Sequence, residues 1–141
     1  MSLTMRAMQA AMFKVSKSKH DFEHTVQMVR DKALRAGWDV PWRFELQQHY
    51  ADKGFSDMTK VTNVYLCNPQ GGYDIMKADA YKPMAVMMPT AVSVYETNAG
   101  EVHVSRMNLG RMSTMFAGTV RAALKGGGAN LEKALEGVVE T

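Results

Sequence analysis

Between Phe22 and Leu46 the spacing of apolar residues changes from that of a helix to that of a strand. Phe22, Val26, Val29 and Ala33 recur at intervals of four, three and four, the stripe of an amphipathic helix. Gly37 supplies the stop. From there Val40, Trp42, Phe44 and Leu46 alternate with Pro41, Arg43, Glu45 and Gln47, which predicts a half-buried strand with Pro41 at its start or on an edge. Upstream, Met12 to Ser16 reads as a short strand with Phe13 and Val15 on one face. Ser18-Lys19-His20-Asp21 then resembles a capping box, with aspartate where glutamate or glutamine is preferred.

The alternation continues downstream. Asp52 to Asp57 is a polar loop around Gly54, and Val61 to Cys67 is a strand with Val64 and Leu66 on one face and Val61 and Tyr65 on the other. Asn68-Pro69 ends it and opens a short helix through Tyr73 and Met76, closed by Lys82-Pro83. Met84 to Met88 and Ala91 to Glu96 are strand-like, with Pro89 as a break between them. Thr97-Asn98-Ala99-Gly100 is a hairpin turn, and Glu101 to Arg106 returns with Val102 and Val104 inward. Leu109 to Lys125 reads as helix, Gly126-Gly127-Gly128 as a flexible joint, and Asn130 as the cap of a last helix through Val139.

The expected order is β-α-β-β-α-β-β-α-α, an α+β domain with about five mostly antiparallel strands and helices on one face. The other face then needs a cover, and a second copy of the chain is the expected one, giving a homodimer. At 141 residues the chain suits a single domain spanning 1–141. Residues 1–11 form an N-terminal extension whose Met1-Ser2-Leu3 resembles a cloning remnant, and 117–141 form a C-terminal helical extension.

Hydrophobic residues make up 46% and charged residues 22%, an ordinary globular mixture that argues against disorder. The formal charge is +3, with lysines and arginines dispersed and only Lys14, Lys17 and Lys19 approaching a cluster. That lacks the basic stripe of a nucleic-acid reader, so no such partner is expected. No apolar run approaches ~18 residues, so no membrane span is expected. The localisation expected is soluble: cytoplasmic, or periplasmic if a leader has been removed.

Cys67, the one cysteine, cannot form an internal disulfide. In Cys67-Asn68-Pro69 the proline suits the first turn of a helix and the asparagine its N-cap. The thiol would then stand at a strand end facing the start of a helix, where a thiolate is favoured. The plainer reading is a small buried apolar residue. The amides of Gly71 and Gly72 could also approach an anion, although the lysine and spacing of a phosphate loop are missing.

Methionine is abundant, with 13 residues, grouped as Met5, Met8 and Met12; Met84, Met87 and Met88; and Met107, Met112 and Met115. Thioethers with a thiol would suit Cu(I), and His20 and His24 lie one helical turn apart. Packing is nonetheless the favoured role, because in a strand Met87 and Met88 would point to opposite faces. No Gly-x-Ser-x-Gly, His-Glu-x-x-His or paired-cysteine pattern occurs, and the carboxylates fall on expected exposed faces. His103 alternates with Val102 and Val104, which places it on the other sheet face. No catalytic residue, metal ligand or cofactor is therefore assigned, and the reading leans away from an enzyme.

The run from Phe22 to Trp38, the Cys67-Asn68-Pro69 tripeptide, Pro89 and the Val92-Ser93-Val94-Tyr95-Glu96 strand together resemble the bacterial and archaeal domain of unknown function 302. The likeness covers roughly Phe13 to Phe116, so 12–116 is taken as the family-like core. It implies a TATA-binding-protein-like fold, a curved antiparallel sheet with two main helices, often paired into dimers. Many relatives carry a second cysteine in a later Pro-Cys-Asn segment, where this chain has Pro89-Thr90-Ala91. A two-thiol role is thereby lost, while a pocket near Cys67 and Thr90 would survive. The expected function is a non-enzymatic homodimeric module binding a small molecule or anion at Cys67, Asn68 and Thr90, with Tyr65 and Tyr73 as walls. The alternative is soft-metal (copper) handling, or a thiol-linked accessory role, using Cys67 and methionines.

Overall fold

A computed structural model describes residues 1–141. Its strands are β1 (Phe13–Lys17), β2 (Asp39–Glu45), β3 (Val61–Cys67), β4 (Thr90–Glu96) and β5 (Val102–Met107). Its helices are α1 (Leu3–Met12), α2 (Phe22–Arg35), α3 (Leu46–Ala51), α4 (Pro69–Met76), α5 (Leu109–Ser113) and α6 (Gly118–Leu135), with a 3-10 segment over Asp79–Met87. The strands form one sheet in the order β1-β5-β4-β3-β2, and every neighbouring pair is antiparallel. The expected order is recovered, with α1 and α3 added to it.

Residues paired across strands share a sheet face, so the register sorts the side chains. Val64 of β3 pairs with Val92 of β4, Val92 with Arg106 of β5, and Val94 with Val104. That row is buried, and it packs on Phe22, Val26, Val29 and Ala33 of α2 and on Leu131 and Leu135 of α6. The 3.6-residue stripe of α2 thus meets the two-residue stripe of the sheet. At ~25 cal/mol per Å2 of apolar surface removed from water, each such side chain contributes roughly 1.5–3 kcal/mol.

Thr62 lies on the same inner face, fully buried, and its hydroxyl has no hydrogen-bond partner. Replacing it with valine keeps the shape and removes an unsatisfied group. We expect Thr62→Val to raise the free energy of unfolding by about 1 kcal/mol in urea titrations; a loss of stability would show that the hydroxyl is satisfied in solution.

Several local expectations are corrected. The cap of α2 is Asp21, whose side chain accepts the His24 amide at 2.8 Å, while Ser18 accepts the His20 amide and bonds the Thr25 hydroxyl at 2.6 Å. The strand expected through Gln47 stops at Glu45, because Leu46–Ala51 coil into α3 and Gln47 turns back to accept the Val61 amide at 2.8 Å. Met84 to Met87 belong to the 3-10 segment instead of a strand; that run has one β-branched residue, Val86, and an apolar run without alternation does not distinguish helix from strand.

The Gly126-Gly127-Gly128 run is not a joint. Helix α6 passes straight through it, and Asn130 lies inside the helix with no capping role. Its carboxamide instead accepts the Trp38 indole N–H at 2.7 Å and donates to the Ala36 carbonyl at 3.2 Å. The glycines permit close approach. A Cβ on Gly128 would lie 3.0 Å from the Gly110 amide nitrogen, and one on Gly127 would lie 3.7 Å from the Trp38 ring.

Candidate functional site

β3 ends at Cys67 and α4 begins two residues later, so the Cys67-Asn68-Pro69 turn sits at a sheet margin. Asn68 caps α4 by accepting the Gly71 amide at 3.1 Å, and Pro69 takes the first helical position, where a missing N–H costs nothing. The Gly72 amide donates to the Asn68 carbonyl at 2.8 Å. Both glycine amides proposed for an anion are therefore engaged within the turn itself.

Beside the turn lies a cavity of about 80 Å3, bounded by α4, the 3-10 segment, the ends of β3, β4 and β5, and α6. Cys67, Asn68 and Thr90 all line it. The half-buried Cys67 pairs with Asp39 in the β2–β3 register. The structure thus brings three of the five expected site residues together.

Tyr65 and Tyr73 stand elsewhere. Tyr65 stacks on Trp42 on the opposite sheet face, with ring centroids 5.0 Å apart, because its parity in β3 is opposite to that of Val64 and Leu66. Tyr73 points outward from α4, is 66% exposed, and has the Lys77 ammonium 5.8 Å from its ring centre.

The remaining walls are apolar, and most escaped the sequence reading. Trp38, Leu66, Ile75, Leu109 and Leu124 close the interior, and Met84, Met87, Met88 and Met107 supply four thioethers. In a 3-10 helix, side chains three apart eclipse, so Met84 and Met87 reach the same side; Met88 follows at the segment's end. The expectation that Met87 and Met88 could not share a site fails with the strand it assumed. No lysine or arginine lines the cavity, and no three histidine, cysteine or carboxylate side chains gather anywhere in the chain. His20 and His24 are neighbours, with ring centroids 4.6 Å apart, but His20 Nε2 lies 3.4 Å from the Gly137 carbonyl.

The domain of unknown function DUF302 matches residues 14–141. The chain belongs to the DUF302 family. The match continues through α6, whose Leu131 and Leu135 complete the main core of this DUF302 domain. The fold is similar to that of an uncharacterized conserved DUF302 protein from Bacillus stearothermophilus known from a crystal structure. That likeness has a TM-score of 0.76 and 16% identity, covering 88% of this chain and 95% of the other. At that identity the likeness speaks for the fold alone. No curated protein matches the DUF302 chain in sequence.

The outer face of the DUF302 sheet lies outside the main core cluster, and the short α3 reaches it, with the His49 ring 5.3 Å from that of Phe44. Phe13 of β1, Ala91 of β4, Tyr65 of β3 and Trp42 of β2 lie on this side, and none of the four is buried. Helix α1 buries no residue either, although Met5, Met8 and Met12 form an apolar stripe along it. No helix is long and apolar enough to cross a membrane.

Proposed function

We propose that this chain is a non-enzymatic, homodimeric binding module whose ligand occupies the cavity beside Cys67-Asn68-Pro69. The observation that carries the reading is that Cys67, Asn68 and Thr90 converge on one largely apolar cavity. Small-molecule sites commonly combine apolar walls with a few polar groups that fix orientation. The absence of a cation in the walls and the engagement of the Gly71 and Gly72 amides favour a neutral, mainly apolar molecule with one polar end over an anion. At about 80 Å3 the space is well below the ~300–1,000 Å3 of ordinary small-molecule sites, so the ligand is one of only a few heavy atoms.

Dimerisation is supported by surface area. The chain exposes 8548 Å2, whereas a folded monomer of its mass exposes about 7,300 Å2. The excess, about 1,250 Å2, is larger than one side of a standard interface, roughly 800 Å2.

A second reading, soft-metal handling, is favoured by one observation: Cys67 and four methionines line the same cavity. A thiol and thioethers suit Cu(I). Native mass spectrometry of the protein as purified separates the readings. The expected result is a dimer retaining an organic mass, which Gly72→Leu releases because a Cβ there meets nothing within 4 Å and the side chain can enter the cavity. A retained copper ion that disappears in Cys67→Ser selects the second reading. A monomer with no retained mass, and no binding from a fragment panel, overturns the proposal.

A further inference from the structure

Along α6 from the apolar cavity, and sharing Met107 and Leu109 with its walls, lies a second cleft of opposite chemistry. This cleft has a volume of about 500 Å3 and lies between α6, α5 and the edge strand β1. Lys14, Arg121 and Lys125 line it, together with the hydroxyl-bearing Ser113 and Thr114. Arg121 and Lys125 are four residues apart, which puts both on one side of α6. Neither belongs to an ion pair of the chain.

Glu132 is the one carboxylate in the walls, and it is already neutralised. Arg106 grips it from the sheet through Nη2 at 2.6 Å and Nε at 3.0 Å, and Lys14 Nζ reaches it at 3.0 Å. Arg106 is itself fixed, with Nη1 donating to the Ser16 hydroxyl at 3.0 Å and the Val104 carbonyl at 3.2 Å. Three cations and one carboxylate line the cleft, a local excess of two positive charges, and the carboxylate is held by Lys14 from the wall and by Arg106 from behind it.

We infer that this cleft binds a small molecule through a phosphate group. Its volume falls within the ~300–1,000 Å3 typical of small-molecule sites. A guanidinium fork and an ammonium match the several oxygens and double charge of a phosphate better than a single carboxylate, and concave walls concentrate the field. Its cations, Lys14, Arg121 and Lys125, line none of the apolar cavity, so the site does not rest on that cavity being occupied.

The test is a titration of the full chain with inorganic pyrophosphate, followed by amide NMR at two salt concentrations. We expect saturable shifts confined to α5, α6 and the β1 edge, and an affinity that falls as salt rises. The double variant Arg121→Gln/Lys125→Gln should lose at least tenfold in affinity. Lys53→Gln, which removes an exposed charge from the loop after α3, should lose less than twofold. Equal losses in the two variants, or shifts that do not saturate, would reduce the effect to general charge attraction and overturn the site. A DNA duplex binding more tightly than pyrophosphate, with the same loss in the double variant, would overturn the small-molecule assignment in favour of a nucleic-acid surface.

Discussion

Glu132→Ala should lower the free energy of unfolding by about 3 kcal/mol, the low end of the range for breaking one side of a buried ion pair. The guanidinium it abandons, that of Arg106, is 4% exposed on the inner sheet face, wedged in the same row as Val92. Its remaining acceptors, Ser16 Oγ and the Val104 and Lys14 carbonyls, hold the cost to that low end. Arg106→Met/Glu132→Leu should recover part of the loss, because both charges then leave together. Urea unfolding at pH 7 measures both, and an unchanged midpoint for Glu132→Ala would mean that the pair contributes nothing.

The same pair gives stability a pH signature. Burial pushes the Glu132 carboxyl upward, but the hydrogen bonds and charges of Arg106 and Lys14 outweigh it, and the net shift is below the ordinary 4.5. A depressed carboxyl stabilises the folded state at every pH above 4.5 and loses that contribution as pH falls through its lower folded value. The parent protein should therefore weaken below pH 4.5 more steeply than Glu132→Gln.

Two adjacent-looking glycine replacements should move stability in opposite directions. Gly126 lies inside α6, and a Cβ there would meet nothing within 4 Å, so Gly126→Ala gains helix propensity and should stabilise by about 0.5–1 kcal/mol. Gly128→Ala would bring a methyl to 3.0 Å from the Gly110 nitrogen and 3.1 Å from Leu109 Cβ. Those contacts involve backbone and a buried residue that cannot swing aside, and overpacking of this kind costs about 1–3 kcal/mol, more than the propensity gained. Thermal unfolding of the two variants decides it. Equal shifts of the same sign would mean that α5 and α6 yield to one another.

These contrasts show what the sequence could and could not convey. The stripe of Phe22, Val26, Val29 and Ala33 and the alternation through Val64 and Leu66 were legible because each encodes a repeat that burial enforces. The Asn68-Pro69 cap was legible because it is local chemistry. The sulfur-rich wall was not, since Met84 to Met88 carry no alternation and their placement depends on how the 3-10 segment packs over α4. The triple glycine is the sharper case. Its composition is that of a joint, and only the approach of Leu109, Gly110 and Trp38 from distant parts of the chain shows why a helix would tolerate it there. Arg106 could have been placed inward by counting from Val104, but its partner lies 26 residues away on another element, beyond the reach of any periodicity.

The two tryptophans fall on opposite sides of the sheet. Trp38 is 5% exposed, lines the apolar cavity and holds Asn130 through its indole N–H, whereas Trp42 is 50% exposed on the outer face. Their fluorescence therefore divides cleanly between two events. A ligand entering the cavity would alter the emission of Trp38, and a second subunit closing over the sheet would shift that of Trp42 toward the blue, so Trp38→Phe and Trp42→Phe each leave a label-free optical reporter for one process.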